Sequence, residues 1–270
     1  MKNLATLTLG LVISATSSWV SADTQSAAPS VYQEAYALYL LQHPDNKSQN
    51  SQALIQTIQQ DYQALFASSN KVNQTQFVQY EQQKLSELMK QRREMSLKQA
   101  HVRFGILDAD KNQKMSLKEF QDIGIKNFAE YDKNTDGLVS AEDIALAAGE
   151  GTQTHDGFRV RLPISMPMAN NPNEFIGKYG QNKSYATLAD FLSERDKQFF
   201  ATDRNQDLVV SEQEYVDEFM QRYDLNATKG TAKMQALSAR KFQAIAGNKS
   251  TIQAKDIAKF AKKLDQAISQ

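Results

Sequence analysis

The 270-residue chain has no cysteine, and its one tryptophan is Trp19. The missing cysteines exclude disulfides, thiolate metal sites and lipid attachment through an N-terminal cysteine. Histidine is nearly as scarce. His43, His101 and His155 stand far apart, in no metal-ligand or catalytic-triad spacing. There is no Gly-rich phosphate loop and no nucleophile elbow. A non-enzymatic role is therefore expected. An excess of charge of one sign is also missing, since 31 Lys and Arg face 31 Asp and Glu. That balance lacks the basic footprint of a nucleic-acid binder. Proline occurs five times, and three of these, Pro163, Pro167 and Pro172, crowd into one stretch.

Long apolar runs are absent too. Leu4 to Ile13 is too short to span a bilayer. With Lys2 before it and Val20-Ser21-Ala22 after it, the segment reads as a secretory signal that leaves Asp23 as the first mature residue. No membrane span is expected after its removal. A cysteine-free exported chain suits a bacterial periplasm, so the expected location is periplasmic or secreted.

What is present is mostly helical periodicity. Val31 to Gln42 is rich in aromatic and aliphatic residues, and His43-Pro44-Asp45-Asn46 ends it as a turn. Leu54, Ile58, Tyr62 and Leu65 recur at helical spacing, as do Phe77, Leu85 and Leu88. Lys90, Arg92, Arg93 and Glu94 mark a solvated face. Residues 151–185 break the pattern with Asn, Gly and Pro, while Phe158, Val160 and Leu162 alternate like a short strand. Helical spacing resumes through Leu188, Phe191, Leu192, Arg195 and Phe199, and again through Ile257, Phe260, Leu264 and Ile268. The expected fold class is all-α. The expected divisions are a signal (1–22), an N-terminal helical region (23–97), a compact pair of loops (98–150), a linker or insertion (151–185) and a C-terminal lobe (186–270).

Three 12-residue segments share one pattern: Asp108 to Glu119, Asp132 to Asp143 and Asp203 to Glu214. Positions 1, 3 and 5 are oxygen donors: Asp108, Asp110 and Asn112; Asp132, Asn134 and Asp136; Asp203, Asn205 and Asp207. Position 8 is apolar (Met115, Val139, Val210) and position 9 is Ser116, Ser140 or Ser211. Position 12 is Glu119, Asp143 or Glu214. Phe104, Phe128 or Phe199 stands four residues before each loop, and Phe120, Ile144 or Tyr215 just after it. These flanks are expected to pack the two helices of each unit together. The spacing suits a hard cation, because calcium takes six to eight oxygens and a 12-residue loop can wrap it with alternate side chains.

The three segments resemble the EF-hand superfamily over residues 98–148 and 188–219. The resemblance implies helix–loop–helix units packed in pairs, with calcium as the bound ion. It also implies that Lys114, Leu138 and Val209 offer backbone carbonyls, that Ser116, Ser140 and Ser211 reach the ion through water, and that position 12 is bidentate. The compact spacing of the first two loops resembles that of secreted bacterial EF-hand proteins. The lanthanide-binding lanmodulins share it too, but they carry Pro at position 2 and Asp at position 9, unlike Ala109, Lys133, Arg204 and the three serines here. A lanthanide-binding role is thus the weaker alternative.

Departures from the family are informative. Only Gly137 is the expected glycine at position 6, so Gln113 and Leu208 must adopt a left-handed backbone. Asp143 has a shorter arm than glutamate, which makes the Asp132 loop the one expected to bind more weakly or to take Mg2+. Leu65 to Gln76 and Ala246 to Asp256 read as worn copies without carboxylates at positions 1, 3 and 5. The tail copy is the expected mate of the Asp203 loop. Two roles follow: a calcium buffer, sensor or structural protein, or a calcium-dependent module that docks an unidentified protein through residues 151–185 or the long N-terminal helix.

Overall fold

The computed structural model describes residues 29–46, 50–148 and 161–268. The expected signal, Trp19, His155, Phe158 and Val160 lie outside these residues. The first run of elements is α1 (Val31–Gln42), α2 (Ser51–Asp61), β1 (Val72–Asn73), α3 (Gln74–Leu107), β2 (Lys114–Ser116), α4 (Leu117–Phe128), β3 (Leu138–Val139) and α5 (Ala141–Ala147). The second is α6 (Pro172–Tyr179), β4 (Ala186–Thr187), α7 (Leu188–Thr202), β5 (Val209–Ser211), α8 (Glu212–Ala246), β6 (Thr251–Ile252) and α9 (Ala254–Ile268). The fold is mainly helical, as expected.

The helix starts are written in the sequence. Asn73, Ser116, Ser140, Thr187 and Ser211 each cap a helix, and the residue three positions on returns a side-chain bond to the cap, forming a capping box. A cap residue is extended, so the two or three residues at each cap run as strand before the helix begins. Short antiparallel bridges form there. Val72 faces Ile252, Met115 faces Val210 and Val139 faces Ala186, and all six of these side chains are buried.

These bridges correct the expected organisation. The Asp108 loop pairs with the Asp203 loop, not with the Asp132 loop. The Asp132 loop pairs with residues 186–187. The two worn segments pair with each other, so the tail is not the mate of the Asp203 loop. The physical reason is that neighbouring loops share a helix. The single helix α4 both leaves the Asp108 loop and enters the Asp132 loop, which holds their bridge edges apart. Among the described residues, 51–147 and 172–268 are therefore two arms of three helix–loop–helix units each, laid antiparallel, with α1 packed on α8 and α9. The expected segments 98–150 and 186–270 interleave.

The long helices α3 and α8 form the most extensive helix pair. Arg93 pairs with Asp224 and His101 with Glu212, both at 2.8 Å. Farther along, Lys241 Nζ reaches Glu81 Oε2 at 2.6 Å, both residues being buried. Tyr62 donates its hydroxyl to Glu81 Oε1 at 2.6 Å. At that end a cluster of Leu54, Ile58, Tyr62, Phe77, Phe242, Ile257 and Phe260 unites α2, α3, α8 and α9.

Residues 161–185 are no idle linker. Asn171 caps α6, and Pro172 starts that helix instead of breaking one. Leu162 and Ile164 are buried beside Leu38, Leu85 and Met234. The amide of Asn226 donates to the carbonyls of Ile164 and Ser165 at 3.1 and 2.9 Å. Gly230 makes that crossing possible, since a Cβ there would lie 2.6 Å from the Pro163 carbonyl oxygen.

Candidate metal centre

Each Asp-lined loop is built on one hydrogen-bond plan. In the first, Asp108 Oδ1 accepts from the Asn112 N–H at 3.1 Å and Oδ2 from the Gln113 N–H at 3.0 Å. Asp132 accepts from Asp136 and Gly137 at 3.1 and 3.0 Å, and Asp203 from Asp207 and Leu208 at 3.2 and 2.9 Å. These bonds curl the chain about the first carboxylate. The curl needs left-handed backbone at positions 4 and 6: Lys111 and Gln113 (φ 61° and 66°), Thr135 and Gly137 (59° and 84°), Gln206 and Leu208 (60° and 67°). The strained conformations of Gln113 and Leu208 are as expected. Those at position 4 went unforeseen.

The twelfth residue closes each loop. Glu119 Oε1 accepts from the N–H groups of Ala109 (2.8 Å) and Asp110 (3.3 Å), and Oε2 accepts from the N–H and hydroxyl of Ser116, both at 2.8 Å. Glu214 repeats this with Arg204, Asn205 and Ser211. Burial raises the affinity of Glu119 and Glu214 for a proton, but the bonds from Ser116 and Ser211 and from the backbone outweigh it and hold both below the usual glutamate range. Asp143, although shorter, accepts from the same backbone positions, Lys133 N–H at 2.7 Å, Asn134 N–H at 3.4 Å and Ser140 N–H at 2.7 Å. Its side chain is fully buried. The serines thus act first as helix caps.

The loops differ in where their acids converge. One oxygen each from Asp108, Asp110 and Glu119 lie within 4.8 Å of one another, and among the described residues no other such group of acidic or imidazole side chains occurs. Loops two and three place an amide, Asn134 or Asn205, at position 3 and their carboxylate at position 5. There Asp136 accepts from the Leu138 N–H at 2.8 Å and Asp207 from the Val209 N–H at 3.1 Å. Beside loop two, Glu142 at position 11 receives the Asn134 amide at 3.1 Å. Lys114, Leu138 and Val209 lie on the bridge strands at position 7.

Asp108, Asp132, Asp143 and Asp203 are buried. None of the ion pairs among the described residues engages them, nor Asp110, Glu119, Asp136, Asp207 or Glu214. A carboxylate has about four lone-pair positions. Asp108 gives two to backbone N–H groups, which leaves acceptor capacity for a hard cation. His43 instead bonds Asp61 at 2.8 Å, away from the loops, and His101 bonds Glu212, the tenth residue of the Asp203 loop, which is not one of the expected ligands.

The flanking aromatics pack across the bridges as well as within their units. Phe104 meets Tyr215 at 6.0 Å between ring centres, and Phe120 meets Phe199 at 5.9 Å. Both contacts join loop one to loop three across the bridge, and one core cluster holds Phe104, Phe120 and Phe199 with Tyr215 against it, so the flanks pack within their units as well. Phe128 packs with Phe175 and Phe191 in the same way. Ile144 departs from the pattern and is exposed.

Comparison of the chain with family models, with curated proteins and with solved structures gave no match. The assignment of a function therefore rests on the loops themselves.

A fourth loop went unread in the sequence. Tyr179 to Asp190 leads into β4 and α7 with Thr187 as cap and Asp190 at the twelfth place. The signal was present: Phe175 stands four residues before it and Phe191 just after, the same flanks that mark the other loops.

Proposed function

We propose that this chain is a non-enzymatic, exported calcium-binding protein of the EF-hand superfamily, with ion sites at the loops beginning at Asp108, Asp132 and Asp203. One observation carries the reading. Three loops share one curled backbone around a buried aspartate, and their carboxylates at positions 1, 3, 5 and 12 enter none of the described ion pairs. Oxygen-only donors arranged this way suit a hard divalent cation and not a thiolate- or imidazole-seeking metal. The Asp108 loop, where three acids converge, is the strongest site. The Asp132 loop, closed by the short Asp143, is the one most open to Mg2+.

The test is calorimetric titration of chelator-treated protein with calcium, magnesium and a lanthanide. Three calcium ions per chain are expected. No heat and no thermal shift with any of them would overturn the reading. Terbium emission sensitised by tyrosine assigns the sites. Tyr131 adjoins Asp132 and packs on Phe175 at 4.5 Å, while Tyr215 adjoins Glu214. Tyr131→Phe should dim the loop-two signal and leave the rest.

A second reading, a calcium-dependent docking module, is favoured by apolar side chains exposed on the helices that enter loops one and three. Val102 is 65%, Ile106 62% and Phe200 52% exposed. An apolar dye whose fluorescence rises with calcium supports this reading, and stabilisation with no such rise counts against it.

A further inference from the structure

The fifth loop position sets two of the acid-poor loops apart from the three Asp-lined ones. In the three Asp-lined loops it is an oxygen donor, Asn112, Asp136 or Asp207. In Tyr179 to Asp190 it is Lys183, and in the tail loop, Ile245 to Asp256, it is Lys249. The structure supports this register. Thr187 precedes α7 and Gln253 precedes α9 as Ser116 precedes α4. Asn182, at position 4, has a φ of 68°, beside 61°, 59° and 60° at that position in the Asp-lined loops.

Both lysines reach the twelfth carboxylate of their own loop. Lys183 Nζ lies 2.5 Å from Asp190 Oδ2, and Lys249 Nζ lies 2.7 Å from Asp256 Oδ1. Each carboxylate also accepts the backbone N–H of its cap residue, from Thr187 at 2.9 Å and Gln253 at 3.0 Å. Glu119 and Glu214 take the same bond from Ser116 and Ser211. In two loops that lack acidic residues at positions 1, 3 and 5, an ammonium on the loop itself supplies positive charge to the twelfth carboxylate.

We infer that Lys183 and Lys249 are tethered cations that close their loops without any bound ion. Lys183 thereby holds β4 as a ready template for β3, so that the Asp132 loop fills independently of the other two sites. The loops at Asp108 and Asp203 have no such lysine and are bridged only to each other, and they fill cooperatively. The clauses about filling rest on the calcium reading above. The clause about closure does not.

The experiment has two arms, both on the full chain. In chelator, hydrogen exchange is followed at the amides of residues 137–139 and 186–188. Lys183→Met should speed exchange there about three- to tenfold, the range for losing a partly exposed charge-assisted bond. Exchange at 114–116 and 209–211 should not change. Asp190→Asn should add little to Lys183→Met, because both break one contact. Unchanged exchange in Lys183→Met overturns the inference. If that variant does not fold, Lys249→Met read at residues 72–73 and 251–252 decides by the same criterion. In the second arm, calcium titration of the unsubstituted chain should show one independent ion and a cooperative pair, and Lys183→Met should weaken only the independent ion. Three ions taken up in a single cooperative step would overturn the independence of the Asp132 loop. No ion taken up at all would overturn the proposed function, while the chelator arm still decides the role of the lysines.

Discussion

The two bridged pairs served by α3 and α8 are built alike and held together differently. At one end, Val72 and Ile252 meet in a bridge whose surroundings carry their own countercharges. Glu81 is paired with Lys241 and Asp256 with Lys249, and Phe77 and Phe242 fill the core. At the other end, Met115 and Val210 meet in the same kind of bridge, yet Asp108, Asp110, Asp203 and their closing glutamates enter none of the described ion pairs. Helix caps and a bridge of buried β-branched or apolar side chains are common to both. The difference shows that the backbone plan does not depend on which charged side chains line it.

The largest test of that contrast is at the countercharged end. Lys241→Met strands Glu81 in a buried place with only Tyr62 for company. It should cost about 3–5 kcal/mol in stability, because a buried charge loses its partner. Thermal unfolding should show the same loss with and without calcium. Recovery in calcium would mean the two ends are not distinct. Next comes Glu119→Gln at the other end. Removing one of the converging carboxylates should weaken calcium binding at loop one by about tenfold or more, and binding at the bridged Asp203 loop should weaken with it. Metal-free stability should change far less. Calorimetric titration checks both points.

Acid provides a smaller, separable effect. Lys183 and the Thr187 N–H and hydroxyl lower the Asp190 carboxyl to about 2, whereas an unfolded aspartate titrates near about 3.9. The folded value is the lower one, so the stabilisation is complete above about pH 4 and fades as pH falls towards about 2. Unfolding in chelator between pH 5 and 2 should show this slope. Lys183→Met should flatten it, and an unchanged slope would remove the pair from the account. The smallest effect is expected for Leu208→Gly. Leu208 is 69% exposed with φ at 67°, so glycine loses little packing and relieves strain of order 1 kcal/mol. Calcium affinity at the Asp203 loop should rise by up to about fivefold, since 1.4 kcal/mol corresponds to tenfold.

Much of this was legible in the residues. The all-helical pattern, the three Asp-lined loops and the strained sites at Gln113 and Leu208 follow from spacing and residue type. The pairing was not legible, because any apolar position 8 can bridge any other. Met115 meets Val210 and not Val139 only because the single helix α4 keeps the first two loops apart. The loop closed by Asp190 was hidden for a different reason. Lys183 at position 5 contradicts a search for acids, although Phe175, Phe191 and the Thr187–Asp190 capping box mark the place. Residues 161–166 lack periodicity since they lie across α8 through Gly230 and Asn226 and form no element of their own.

Helices α3 and α8, 34 and 35 residues long, each belong to two loops at once. Each is a rod of about 51 Å at 1.5 Å per residue. A rod shared in this way cannot tilt at one end and stay still at the other. A few degrees of swing about the Asp108–Asp203 bridge becomes several ångströms of travel near Phe77 and Phe242 unless the helices bend. Such a pair of rods has the geometry of calipers, with the Asp108 and Asp203 loops at the pivot and the aromatic core at the tips. The buried Lys241–Glu81 clasp lies near those tips, where it best resists their parting.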